Sequence, residues 1–105
     1  MNTIDINFVI TELSSVFKGT LAGKWPKVKS VTQNFLKDLE NKQDKLNELK
    51  HSTKISEEEF RTRFKELGDL YEATLIAEAE LKGALIQKIV LTVSKILFKI
   101  IKKFI

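Results

Sequence analysis

The sequence predicts an all-α protein: an antiparallel hairpin of two long helices, assembled with others into a multi-helix bundle. Three observations carry that expectation. Four glycines and one proline in 105 residues leave few places for turns. Apolar residues recur at alternating spacings of three and four, the period of a helix face. One boundary, near residue 56, carries a full set of helix-start signals. A chain of this length makes one domain. Residues 1–105 are therefore read as a single hairpin: helix 5–50 kinked near 23–26, loop 51–55, helix 56–104.

The first arm begins with Ile6, Val9, Ile10, Leu13, Val16, Phe17 and Leu21, which repeat helically. Gly23-Lys24-Trp25-Pro26 then marks either a kink or a short break between two collinear helices. Proline disfavours helical geometry in the residue before it and suits a first helical turn. Trp25 is suited to plugging that bend, to an interface, or to a membrane boundary. Beyond it Val28, Phe35, Leu39, Leu46 and Leu49 form the next apolar stripe, with Lys37, Asp38, Glu40 and Asp44 off to its side.

The connector His51-Ser52-Thr53-Lys54-Ile55 is short and polar, which makes the flanking helices antiparallel neighbours. Ser56 fits the N-cap of the second arm and Glu59 the reciprocal position of a capping box, with Ile55 and Phe60 as the hydrophobic staple. Glu57 and Glu58 suit the positive end of the helix dipole. Phe64, Leu67, Tyr71 and Leu75 continue the stripe, and the pattern runs on to Phe104. Gly68 and Gly83 each cost roughly 1 kcal/mol relative to Ala without forcing a stop. The expected rod is about 50 residues, or about 70 Å, long.

Folding the chain about residue 53 sets Gly23 against Gly83 and brings Glu78 and Glu80 near Lys24, Lys27 and Lys29. Ser15, Gly19 and Gly23 fall in one row of small residues, Ala79 and Gly83 in another. Such rows either let two backbones approach closely or are incidental.

Charge and composition bound the function. Cysteine is absent, so disulfides, thiol nucleophiles and zinc-finger sites are excluded. The first residues lack a basic n-region, and no uncharged apolar run reaches the ~18 residues of a membrane span. The expected location is cytoplasmic by default, or a membrane surface. The net charge of +4 divides unevenly: residues 56–83 sum to −4, whereas residues 84–105 carry five lysines and no acid. The basic block is also the most apolar, which argues against a nucleic-acid binder. No phosphate-binding glycine loop or nucleophile–base constellation appears. An enzyme, a cofactor and a small-molecule substrate are therefore not expected.

Residues 84–105 are the most informative stretch. Plotted at 100° per residue, Lys88, Thr92, Lys95, Lys99, Lys102 and Lys103 fall within an arc of about 100°, leaving roughly 260° almost wholly apolar. An ordinary surface helix buries a stripe a little over about 100° wide. One hairpin partner cannot cover the remainder, so a second partner is expected. The first reading is a homo-oligomer whose interface uses Leu85, Ile89, Val93, Ile96, Leu97, Ile100, Ile101 and Phe104. The second is a peripheral or pore-type membrane protein, with Lys88, Lys95, Lys99, Lys102 and Lys103 on anionic headgroups. A third, a ferritin-like metal bundle, rests on Glu48 and His51 at the Glu-x-x-His spacing of di-iron sites, with Glu57, Glu58 or Glu59 as added carboxylates.

Overall fold

A computed structural model describes residues 4–103. The protein is an all-α helical bundle. Six α-helices are assigned among the described residues: α1 (Ile6–Leu21), α2 (Trp25–Glu40), α3 (Gln43–Ile55), α4 (Glu57–Leu67), α5 (Asp69–Ala79) and α6 (Gly83–Lys103). A single 3-10 turn, Ala22–Lys24, joins α1 to α2.

The two expected rods are cut into shorter helices, and the longest dimension is 37 Å rather than the length of a 50-residue helix. The first cut is at Ala22, whose φ of 50° ends α1. Pro26 then opens α2 in its first turn. The break is a reversal and not a kink between collinear segments. The Ile4 N–H at the start of α1 donates to Glu40 Oε2, at the end of α2, at 2.9 Å. Asp5 caps α1, its carboxylate accepting from the Phe8 N–H at 3.0 Å. Trp25 is buried beside the reversal.

The second cut falls at Asn41 and Lys42, where bonds to Asp38 O and Leu39 O tighten the last turn of α2. Residues 51–55, expected as a loop, are the final turn of α3. The chain turns instead on Ser56 alone, which is extended at φ −171°, ψ 161°. Its hydroxyl accepts from the Glu59 N–H at 2.9 Å, the expected N-cap. The reciprocal half of the capping box is not made. The Ser56 N–H bonds to Ser52 O, and the Glu59 carboxylate takes Arg63 Nε at 3.3 Å. Ile55 is exposed while Phe60 is buried, so the staple is not made either.

Gly68 interrupts the ladder between α4 and α5; a Cβ there would meet Phe64 O at 3.1 Å. Glu80 ends α5 in the left-handed region, φ 52°, ψ 43°. The Lys24 ammonium donates to the Glu80 carbonyl at 3.0 Å, and buried Leu81 anchors the turn. The antiparallel register of this end agrees with a fold about residue 53. The close-approach reading of the glycines does not hold. A Cβ added at Gly19, Gly23 or Gly83 would meet nothing within 4 Å.

These cuts rearrange the bundle around one element. Helix α6 packs against α1, α3, α4 and α5, while α2 packs on α1, α3 and α5. The core runs from Ile4 to Ile101 as one cluster. At its centre Phe35 stacks on Tyr71 with centroids 4.6 Å apart and meets Phe64 edge-on at 5.8 Å. Phe60 meets Phe98 edge-on at 5.4 Å. The Tyr71 and Thr32 hydroxyls share a buried hydrogen bond of 2.6 Å. None of the described helices is long and apolar enough to cross a membrane.

Candidate functional site

The expected interface residues lie mostly in the core of their own chain. Ile89, Val93 and Leu97 are fully buried, Ile100 and Ile101 nearly so, and Leu85 and Ile96 are half-buried. Phe104 lies outside the described residues. The expectation assumed a single neighbouring rod. Four helices surround α6 instead, because breaking the arms lets α1, α3, α4 and α5 each cover a sector of its apolar arc. The arc is as wide as its sequence implies; its cover comes from within the chain.

Lys88, Lys95, Lys99, Lys102 and Lys103 are all exposed and stand opposite that buried arc. Lys102 Nζ lies 5.3 Å from the centroid of half-buried Phe98, a cation–π contact that shields part of the ring. Both ion pairs among the described residues lie on other helices, Lys42–Asp38 at 2.8 Å and Arg63–Glu59 at 3.3 Å.

The candidate metal ligands lie mostly at the surface of the chain. Glu48 and His51 are exposed on α3, as are Glu57 and Glu58 on α4, and Glu59 is engaged by Arg63. No group of three or more His, Asp or Glu side chains converges among the described residues. Tyr71 is buried in the core. Burial pushes its phenol well above the ordinary range, the Thr32 hydrogen bond opposing in part. It is a neutral core hydroxyl, enclosed by Phe35 and Thr32.

What the surface does offer is a seam between α1 and α6. The two helices run antiparallel. A cleft of about 360 Å³ at one end is lined by Phe8 and Glu12 of α1 and by Ile96, Lys99, Ile100 and Lys103 of α6, among others. A second cleft at the other end brings Thr20, Leu21 and Lys24 against Lys82, Leu85 and Lys88. Phe8, Glu12, Val16 and Thr20 follow one another at four-residue spacing and so form one row along α1. Both ends of that row line clefts against α6, and Val16, which lines neither, falls between them along α1. Phe8 and Val16 are 45% and 54% exposed.

Neither family models, curated proteins nor solved structures give a match to this chain.

The seam was only half legible beforehand. In the sequence Val16 falls with the apolar stripe of the first arm, and Phe8 stands outside it. The signal was available in their spacing. Val9, Leu13 and Phe17 form the buried row, and Val16 is offset from it by a residue's turn of about 100°.

Proposed function

We propose that this chain is a non-enzymatic structural or interaction protein that self-associates through apolar helix surface at the α1–α6 seam. The observation that carries the reading is the apolar strip along that seam. Phe8 and Val16 are exposed there beside half-buried Leu85 and Ile96. Exposed apolar side chains gathered on one side of a small domain promote association. Burying each on a partner is worth about 1.5–3 kcal/mol before the costs of association.

The proposed contact set differs from the one expected from sequence. Leu85 and Ile96 stay in it, whereas Ile89, Val93, Leu97, Ile100 and Ile101 support the surface from beneath. Light scattering of the purified protein without lipid or detergent tests the reading. A multimer that Phe8→Asp with Val16→Asp reduces to a folded monomer supports it. A wild-type monomer at all concentrations overturns it.

A second reading rests on the lysine face of α6, which suits an anionic membrane surface. Its support is the outward placement of Lys88, Lys95, Lys99, Lys102 and Lys103 on one helix. Co-sedimentation with anionic vesicles that weakens in high salt is its expected outcome, and no binding at any lipid composition ends it.

A further inference from the structure

Helix α5 is unusual in being apolar on both sides. Tyr71, Leu75 and Ala79 face the core, yet Leu70 and Ile76 on other sides are 73% and 56% exposed, with Ala73 and Ala77 exposed between them. The charges that α5 itself carries are of one sign, with Lys82 and Lys24 Nζ beside its Glu80 end. Residues 69–81 contain Asp69, Glu72, Glu78 and Glu80 and no basic residue. Both Asp69 and Glu78 are exposed: Asp69 falls within that face, between Ile76 and Ala73, and Glu78 lies beyond its Leu70 edge.

The α1–α6 seam has the reverse pattern. Its apolar strip is bordered by Lys99 and Lys103 at one end and by Lys24, Lys82 and Lys88 at the other, with Glu12 the acid in the cleft lining. From these two faces we propose that the outward face of α5 on one copy docks on the α1–α6 seam of a second copy. The inference rests on the self-association reading above and names the surface that fills the seam.

Charge selects this pairing. If the seam met itself across a two-fold axis, lysines would face lysines; if α5 met itself, acids would face acids. Like charges juxtaposed across an interface disfavour both arrangements. The acids of α5 against the lysines of the seam have the complementary sign. The lengths also agree: eleven residues of α5 span about 16 Å, within the roughly 24 Å of the sixteen-residue α1 wall. The two faces are distinct, so the contact is either exchanged reciprocally between two copies or repeated head to tail into a ring or filament.

A charge-swap experiment on the full chain tests this, read by sedimentation equilibrium, with circular dichroism confirming that each variant is folded. One variant carries Lys99→Glu and Lys103→Glu, the other Asp69→Lys and Glu78→Lys. Each alone should weaken self-association at least tenfold, because the reversed charges on one surface then meet charges of their own sign on the other. Mixed one to one, they should associate again, the reversed α5 of one fitting the reversed seam of the other. A wild-type multimer that neither variant weakens, or variants that stay apart when mixed, overturns the face assignment and leaves self-association standing. A wild-type monomer overturns both. So does a monomer that sediments only with anionic vesicles.

Discussion

The buried pair of hydroxyls, Thr32 and Tyr71, gives a sharp test of the core. Tyr71→Phe keeps the ring, and with it the stack on Phe35 at an interplanar angle of 6°, while deleting one partner of the 2.6 Å bond. Thr32→Val deletes the other at nearly constant shape. Leaving a buried donor or acceptor unpaired costs about 1–3 kcal/mol, whereas removing both partners together is close to neutral. The two single costs should differ. Thr32 sits within α2 and can turn its hydroxyl to the carbonyl four residues back, so Tyr71→Phe belongs at the low end, about 1 kcal/mol. The Tyr71 hydroxyl, on a residue 1% exposed, has no such local alternative, so Thr32→Val belongs nearer 2–3 kcal/mol. The double variant should fall short of the summed losses by about 1 kcal/mol or more. Guanidinium unfolding followed by far-ultraviolet circular dichroism measures all four corners of the cycle, with constant slope as the two-state check. Additive losses would refute the claim that these hydroxyls satisfy each other.

The same residue sets an alkaline limit. Tyr71 ionises near pH 10 when unfolded and higher when folded. Its contribution is therefore fully present below about pH 10 and lost as pH rises above it. Tyr71→Phe should flatten that loss, and absorbance of the single tyrosine reports the ionisation directly. Gly19→Ala should stabilise the protein by about 0.5–1 kcal/mol, since the glycine lies within α1 with open space around it; destabilisation would revive a close helix approach. Leu97→Ala should cost about 2–5 kcal/mol of monomer stability, against about 0.5 kcal/mol or less for exposed Leu70→Ala. A Leu97 variant of unchanged stability would return that residue to an intermolecular surface.

The helical class was legible because the three-and-four spacing of apolar residues survives wherever a helix packs. The Ser56 start was legible because an N-cap is a local device, complete within four residues. The ends of α1 and α5 were not. Their chain reversals fall on Ala22 and Glu80, which take positive φ without the glycine that usually signals it. The Glu80 turn is held by Lys24, 56 residues away, and by burial of Leu81, both tertiary facts. Gly83, three residues on, lies in open space and starts α6 instead of making the turn. The same limit applied to the seam. The width of the apolar arc on α6 states how much surface must be covered, but not whether the cover is one rod, four helices or another molecule.

The central place of α6 bears on how the chain comes to its final form during synthesis. The five upstream helices leave the ribosome first and pair locally, α1 with α2 and α3 with α4. Their inward faces must wait for a segment not yet made. Until Gly83–Lys103 arrives, Phe60 lacks the edge-on contact of Phe98, and the sides of α1, α3, α4 and α5 that pack on α6 stay uncovered. The nascent chain therefore passes through a stage with oily surfaces open to chaperones and to its own neighbours on the same messenger.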